Sequence, residues 1–369
     1  MFRPPLLALV GLAIASVCGT VRADVAVGLA GPLTGQFAVL GQEMRLGAVR
    51  AVADINRMGG VNGQLLRLEI VDDACDAKTA DAVANQLTGK GAAVVVGHVC
   101  LAASLAAAQV YALNKIVLIS PATTYPKFTD QRPGPGVFRL AERDDQQAQS
   151  AGLFLANRYA TRNVAIVNDD SAYGRALADG VRAAMNAAGK REAVIVSYMA
   201  NSADFSQLVG QLRAAAIDAV FIGGSVDTDV AKIVKQMRDT GVMAQVVSGD
   251  AIATDAFWQT AGLAAQGALM TLPFDARKNA EAAAVSKVFR DAGAEPSGYV
   301  LPSYAAVQIW AEAAAAAKTF AFEKVVAALS SGNFPSVIGR VSFDTKGDAD
   351  IPGYVLYEWR DGRFDTLSR

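Results

Sequence analysis

The segment Gly91–Pro126 constrains the fold most, because it has the pattern of one complete strand–helix–strand unit. Two β-branched apolar runs, Ala92–Val96 and Ile116–Ile119, are too short for long helices and predict buried parallel strands. The stretch between them, Leu101–Leu113, is rich in helix formers and predicts the crossover helix. An α/β sheet with parallel strands is therefore the expected architecture.

Two loops follow these strands and form the first candidate binding site. One is Gly97–Cys100, which leads directly into the helix, and the other is Ser120–Thr124. Ligands of open α/β sheets bind outside the carboxyl ends of the strands, and the free N–H groups of a helix N-terminus attract anions such as carboxylates. Thr124 offers a hydroxyl and an N–H beside the carbonyl of Ala122, which together suit both ends of an α-amino acid.

The same rhythm of strands and helices occurs twice along the chain. Besides the two strands above, the first half predicts strands at Val25–Leu29, Leu66–Val71 and Val137–Leu140. The pattern restarts after Ala141 and predicts strands at Val164–Val167, Ala193–Tyr198, Ala219–Ile222, Gln245–Ser248 and Ala268–Leu272. Three helices and strands at Val341–Asp344 and Tyr354–Trp359 are predicted to follow. Two such series predict an α/β protein with two doubly wound lobes rather than a barrel.

The order of these segments implies that the chain crosses between the lobes several times. We expect lobe 1 to comprise residues 24–141 and 274–350, and lobe 2 to comprise residues 142–273 and 351–369. The crossings would form a hinge of several strands near residues 141–143, 272–275 and 349–353. A hinged cleft is able to close on a ligand.

The N-terminus has the features of a secretory signal peptide, with cleavage expected after Ala23. A cationic start at Met1–Arg3 precedes the apolar core Leu6–Val17 and a small-x-small site at Val21–Ala23. An uncleaved membrane anchor is the alternative, although the apolar core is short for a span. A lipoprotein at Cys18 is a weaker alternative because no small residue directly precedes the cysteine. Export with cleavage is the prediction.

Composition argues against several other classes of protein. The chain has 34 Lys and Arg residues against 35 Asp and Glu residues, which gives no basic footprint for nucleic acid. It lacks a dinucleotide fingerprint and a phosphate loop, and its single histidine, His98, has no evident serine–aspartate partners. We expect no enzyme, no cofactor and no metal site, with His98 in a structural role.

Two cysteines, Cys75 and Cys100, remain after removal of the signal peptide. In an exported chain they suggest one disulfide, and two free buried thiols are the alternative. The closed loop would span about 25 residues and contribute roughly 3 kcal/mol to stability in the chain-entropy model.

Two residues of the second half are candidates for the opposite wall of a cleft. Asp250 follows a predicted strand and is suited to accept hydrogen bonds from an ammonium group, with a helix N-cap as the alternative role. Tyr173 is suited to cover a ligand with its ring, with core packing as the alternative role.

Over nearly its whole mature length the chain resembles the periplasmic leucine/isoleucine/valine-binding proteins, the amino-acid-binding subunits of ABC importers with the type I periplasmic-binding fold. The motifs that carry this resemblance are Gly47-Ala48, Ala51–Asn56 with Gly59-Gly60, Asp72–Asp76, Gly97–Cys100, Ser120–Thr124, Tyr173-Gly174, Asp204–Ser206, Ile217-Asp218 and Tyr304–Ala306. The resemblance implies a binding protein that catalyses nothing, docks on an ABC permease and, as we expect, is a monomer.

The resemblance also assigns roles to residues at the strand ends. It implies that Cys75 and Cys100 form the family disulfide. The Ala122 carbonyl and the Thr124 hydroxyl match the positions that hold the ligand's α-amino and α-carboxylate groups, and Thr123 lies between them. Further matches are an acidic ammonium partner at Asp250, an aromatic cover at Tyr173, and a side-chain pocket at Val99 and Cys100.

Three residues depart from the family pattern. Leu101 stands where a serine usually donates to the carboxylate, which leaves only its backbone N–H for that role. Leu40 and Ser225 stand where relatives carry pocket tyrosines. We expect a branched-chain or aliphatic amino acid as ligand, with a related small carboxylate or amide as an alternative. A ligand-sensing receptor of the same fold is the alternative function.

Overall fold

The computed structural model of the protein describes residues 24–367 with the exception of Gln36, so the predicted signal peptide lies outside the described residues. The first half of this region forms a five-stranded parallel sheet. Its strands are β1 (Val25–Gly31), β2 (Leu66–Asp72), β3 (Ala92–Gly97), β4 (Val117–Ser120) and β5 (Val137–Arg139). They lie side by side in the order β2-β1-β3-β4-β5, which is a doubly wound order with its switch point beside β1.

A second sheet contains seven strands. They are β6 (Val164–Asp169), β7 (Val194–Tyr198), β8 (Ala219–Gly223), β9 (Gln245–Ser248), β10 (Leu269–Pro273), β13 (Tyr354–Arg360) and β14 (Arg363–Thr366). The order is β7-β6-β8-β9-β10-β13-β14, in which the first five strands are parallel and the last two are antiparallel to their neighbours. The parallel part repeats the strand order of the first sheet, so the fold consists of two doubly wound lobes.

Helices cover both faces of each sheet. They are α1 (Ala38–Arg57), α2 (Ala77–Gly89), α3 (Leu101–Leu113), α4 (Lys127–Asp130), α5 (Asp144–Arg158), α6 (Ala172–Ala187), α7 (Ser206–Ala214), α8 (Asp227–Asp239), α9 (Asp255–Ala261), α10 (Ala283–Asp291), α11 (Val300–Ala317) and α12 (Phe322–Ser331). In β3, Val94 and Val96 belong to one apolar core while Val95 belongs to the core on the other face. Burial on both faces explains the unbroken apolar run of this strand.

The chain passes between the lobes three times: after β5, after β10 and before β13. The last two crossings run side by side, because Pro273 pairs with Tyr354 and the N–H of Phe274 donates to the carbonyl of Gly353 at 3.0 Å. These connections form the multi-strand hinge between the lobes.

A buried ion pair fixes the first and third crossings on the lobe 1 side. Arg139, at the end of β5, is fully buried and donates from Nε and Nη2 to Oδ1 of Asp348 at 2.9 and 2.6 Å. The guanidinium of Arg143, in the first crossing, donates to Oδ2 of Asp348 at 3.0 Å. The carboxylate of Asp348 therefore connects two separate crossings.

The last part of the chain differs from the sequence-based expectation. The predicted strand at 341–344 is wrong; instead β11 (Phe334–Ser336) and β12 (Gly339–Val341) form a two-stranded ribbon, and Phe343 makes only an isolated bridge. After the predicted strand at 354–359, the turn at Asp361-Gly362, where both residues have positive φ, leads into β14, which was not predicted and in which Phe364 packs on Trp359. Among the described residues, no helix combines the length and apolar character that crossing a bilayer requires.

Candidate binding cleft

A cavity of about 630 Å³ lies between the two lobes, beside the hinge. Lobe 1 contributes Leu40, Glu43 and Thr124, lobe 2 contributes Asp250 and Leu272, and the crossings contribute further residues, among them Glu142, Phe274, Ile351 and Pro352. This volume is within the range of small-molecule binding sites. Of the nine ligand residues predicted from the sequence, Thr124 and Asp250 line this cavity.

The loop after β4 presents Thr124 while its other residues turn inward. The hydroxyl of Ser120 accepts hydrogen bonds from the N–H groups of Ala122 and Thr123 at 3.3 and 3.0 Å. The Thr123 side chain is 1% exposed, and its hydroxyl donates to the carbonyl of His98 at 3.1 Å. The sequence predicted Thr123 as a ligand residue. Its side chain instead lies inside the lobe and stabilises the loop. The Thr124 hydroxyl and the Ala122 carbonyl have no hydrogen-bond partner within the described residues.

The loop after β3 is held by a histidine and a disulfide. His98 is fully buried, with Nδ1 at 2.5 Å from Oδ2 of Asp73 and Nε2 at 3.3 Å from the Tyr111 hydroxyl. Cys75 and Cys100 are joined, with their Cα atoms 5.3 Å apart. Asp73 also accepts a hydrogen bond from the N–H of Cys75 at 2.8 Å. These contacts agree with the structural role expected for His98.

The remaining candidates of this loop lie at the beginning of α3. Val99, Cys100 and Leu101 are half-buried and are not among the residues that line the cavity. Cys100 precedes the first helical residue, Leu101, so the first N–H groups of α3 have no partner within the helix.

The second lobe positions Asp250 through two neutral donors. Its Oδ1 atom accepts hydrogen bonds from the Tyr173 hydroxyl at 2.5 Å and from Nε2 of Gln147 at 2.9 Å. Asp250 begins a three-residue 3₁₀ helix and makes no capping bond, which excludes the N-cap alternative. Burial and the charge of Asp250 raise the pKa of Tyr173, so its hydroxyl stays protonated and donates. Oδ2 of Asp250 has no hydrogen-bond partner among the described residues.

Gly249 makes room for this pair. A Cβ atom at residue 249 would collide with the Tyr173 hydroxyl and would lie 2.6 Å from a methyl group of Leu177. Glycine directly after β9 thus leaves the space in which the Tyr173 hydroxyl reaches the carboxylate of Asp250.

Ser225 donates hydrogen bonds to a different carboxylate, that of Asp169. Its N–H and hydroxyl donate to Oδ2 of Asp169 at 2.6 and 2.5 Å, and Ser171 donates to the other oxygen. Burial raises the pKa of Asp169, but the hydrogen bonds from Ser171 and Ser225 outweigh this effect and lower it. Asp169 thereby ties the ends of β6 and β8 together, and Ser225 does not line the cavity.

Three cavity residues, Glu142, Tyr299 and Tyr354, were missed by the sequence reasoning, and so was Gln147, which donates to Asp250. Burial, followed by the charge of Asp144, raises the pKa of the Glu142 carboxyl. Gln147 lies on α5 directly after the first crossing. The only signal for Glu142, Gln147 and Tyr354 was their nearness to the predicted hinge segments, which carries no information on side-chain direction, and Tyr299 had no such signal.

The comparisons with known proteins agree with this architecture. The sequence profile of the periplasmic binding protein family matches residues 24–363. The chain is 39% identical to the Leu/Ile/Val-binding protein homolog 1 of Brucella melitensis, over 97% of this chain and 98% of that protein. It is 34% identical to the leucine-, isoleucine-, valine-, threonine- and alanine-binding protein of Pseudomonas aeruginosa, over 90% of this chain and 89% of that protein.

A solved structure shows the same fold. The ABC transporter substrate-binding protein of Desulfitobacterium hafniense in complex with Leu superposes with a TM-score of 0.72 at 27% identity, over 93% of this chain and 100% of that chain. The two doubly wound lobes, the three crossings and the interlobe cavity are thus the type I periplasmic binding protein fold. The chain belongs to the periplasmic binding protein family, its relatives are named as amino-acid-binding proteins, and it is a binding protein rather than an enzyme.

Proposed function

We propose that the protein captures an amino acid in the interlobe cleft and delivers it to the permease of an ABC importer. The observation that carries the proposal is that Thr124 and Asp250 line one cavity from opposite lobes. Each keeps a polar atom without a partner among the described residues, namely the Thr124 hydroxyl and Oδ2 of Asp250. A donor on one wall and a carboxylate on the other suit a zwitterion.

The two ends of the ligand have distinct partners in this proposal. The ammonium group binds Oδ2 of Asp250 and the carbonyl of Ala122, because both are hydrogen-bond acceptors. The carboxylate binds the Thr124 hydroxyl and the first N–H groups of α3, including that of Leu101, where the helix dipole favours negative charge. Closure of the lobes then brings the Tyr173 ring over the ligand and Val99, Cys100 and Ser225 toward it.

The proposal includes the lobe boundaries expected from the sequence. Residues 24–141 and 274–350 act as lobe 1 and residues 142–273 and 351–369 as lobe 2. A ligand that contacts both lobes favours the closed state by its differential affinity, which is the physical basis of closure. We propose that the mature protein begins at Asp24 in the periplasm, is a monomer, and presents the closed form to the permease.

The names of the relatives favour aliphatic amino acids as ligands. The Brucella protein is named for Leu, Ile and Val, and the Desulfitobacterium structure is a complex with Leu. The apolar cavity residues Leu40, Leu140, Leu301, Ile338 and Ile351 are consistent with an aliphatic side chain.

A thermal-shift series tests the proposal. A ligand that binds only the native state raises the melting temperature with its occupancy. We expect l-leucine, l-isoleucine and l-valine to raise it, and d-leucine and leucinamide, which misplace or lack the carboxylate, to have little effect. A panel of l-amino acids that leaves the melting temperature unchanged would overturn the proposal.

A further inference from the structure

The interlobe cleft carries more negative charge than a zwitterion requires. Its charged lining residues are Glu43, Glu142, Asp250, Asp275 and Arg277. Arg277 is occupied, because its guanidinium donates to Asp275 at 2.8 Å and to Glu295 at 3.1 Å. Asp275 and Arg277 thus neutralise each other, and three carboxylates remain. Asp250 is assigned to the α-ammonium group, which leaves Glu43 and Glu142 without a counter-charge.

These two glutamates have almost no partners within the described residues. Oε2 of Glu43 accepts one hydrogen bond, from the N–H of Tyr299 at 3.2 Å. The Glu142 carboxylate receives no hydrogen bond from another residue there, and neither glutamate forms an ion pair. The adjacent cation, Arg143, is directed elsewhere, since its guanidinium donates to Asp130, Asp145 and Asp348.

Two tyrosines connect the glutamates with Asp250. Burial raises the pKa of Tyr299 to about 12, with further contributions from Glu142 and Glu43. Burial also raises the pKa of Tyr354, with contributions from Glu142 and Asp250. Asp144 contributes to both shifts, so each phenol lies within electrostatic range of three carboxylates. Both tyrosines line the same cavity as Glu43, Glu142 and Asp250, and carboxylates together with aromatic faces attract cations.

The apolar part of the cavity fits the stem of a long cationic side chain. Leu40, Leu140, Leu301 and Ile351 line the same space as the two glutamates. Lysine and arginine side chains place their methylene groups along apolar surface while the charged end contacts polar groups. An aliphatic side chain would fill the apolar part but would leave both carboxylates without a counter-charge.

Building on the amino-acid-binding function proposed above, we propose that Glu43 and Glu142 bind the cationic end of the ligand's side chain. The cleft then takes basic amino acids of the lysine and arginine type in addition to aliphatic ones. The α-amino and α-carboxylate groups occupy the same positions in both cases, so the aliphatic and the basic ligand compete for one site.

Calorimetric titration of the mature protein with pairs of charged and neutral ligands of matched chain tests this inference. Norleucine is the neutral counterpart of lysine, and citrulline is the neutral counterpart of arginine. A charge-assisted hydrogen bond in a partly buried site predicts that lysine binds about tenfold or more tightly than norleucine, and arginine likewise relative to citrulline. The Glu142→Gln variant should bring the ratio of the two dissociation constants close to one.

A matched control is Glu281→Gln, which changes an exposed glutamate outside the cavity and should keep the tenfold ratio. The ratio of the dissociation constants of norleucine and lysine, measured on the unaltered protein, decides the question even if Glu142→Gln fails to fold. Binding of leucine and norleucine with no preference for lysine or arginine would overturn this inference and leave the proposed function intact. Failure of every amino acid to bind would overturn both.

Discussion

The Tyr173 hydroxyl lies 2.5 Å from Oδ1 of Asp250, although the two residues are 77 positions apart in the chain. Tyr173 is in the first turn of α6, and Asp250 follows β9. The bond connects the βα loops that follow β6 and β9 in lobe 2 and leaves Oδ2 available to a ligand. The proposed ammonium site is thus a pair of residues rather than a single carboxylate.

Replacement of Asp250 by asparagine should weaken amino-acid binding strongly. The variant loses a charge-assisted hydrogen bond to the ammonium group, for which roughly 2 kcal/mol, or about 30-fold in Kd, is expected. Titration calorimetry with l-leucine measures the change. The control is Asp179→Asn, an exposed residue on α6, which should leave Kd unchanged. Equal affinities of Asp250→Asn and the unaltered protein would mean that the ammonium group binds elsewhere.

Gly249→Ala should also weaken binding, although the residue offers the ligand no side chain. The added methyl group would collide with the Tyr173 hydroxyl, so the tyrosine must leave Asp250. We expect several-fold weaker binding in calorimetry.

Gly210→Ala provides the matched control, because a Cβ atom there, within α7, meets nothing within 4 Å. Alanine is the better helix former, so this variant should keep full affinity and gain up to about 1 kcal/mol of stability. If both variants bind equally well, the position of Tyr173 is not important for affinity.

Arg139→Met should destabilise the protein severely. The change leaves the Asp348 carboxylate, which is 12% exposed, with Arg143 as its remaining cation, and loss of one partner of a buried pair costs up to about 3–5 kcal/mol. Urea unfolding followed by circular dichroism measures this. Lys287→Met removes the exposed pair with Asp291 and should cost under about 1 kcal/mol. Similar losses in the two variants would contradict the anchoring role assigned to Arg139.

Reduction of the Cys75–Cys100 disulfide should lower the melting temperature. The bond closes a loop of 25 residues, for which the chain-entropy model gives roughly 3 kcal/mol. A melting curve with and without reductant tests the effect. Mass spectrometry of native periplasmic material should find no free thiol in the mature chain, and two free thiols would contradict the pairing.

Asp169 should contribute a pH-dependent part of the stability. Because hydrogen bonds from Ser171 and Ser225 lower its folded-state pKa below 3.8, its stabilising contribution is present above pH 3.8 and is lost as the pH falls through the lowered value. The unaltered protein should therefore exceed Asp169→Asn in unfolding free energy at neutral pH, and the difference should shrink in acid. Urea unfolding at several pH values measures it, and a difference independent of pH would refute this assignment.

The sequence was sufficient for the architecture because burial and turn chemistry are local signals. The apolar runs of β3 and β4 and the restart of the pattern after Ala141 predicted both sheets. Polar hairpins carry a weaker signal: β14 has exposed Arg363 and Asp365, and its pairing depends on the contact of Phe364 with Trp359.

The directions of individual side chains could be predicted much less well from the sequence. Thr123 and Thr124 are adjacent hydroxyl residues, yet the first is bonded to His98 and Ser104 inside the lobe and the second lines the cavity. Ser225 was predicted in the pocket, and its hydroxyl is bound to Asp169. Whether such a side chain lies inside the lobe or lines the cavity depends on tertiary partners that are distant in the sequence. The periodicity of the sequence carries no information on these partners.

A crystal structure of the mature protein with l-leucine tests the central claim most directly. The account predicts the amino acid in the interlobe cleft, with its ammonium group within hydrogen-bond distance of Asp250 and its carboxylate on the Thr124 hydroxyl and the N-terminus of α3. An amino acid bound outside this cleft, or bound within it without contact to Asp250, would contradict the account.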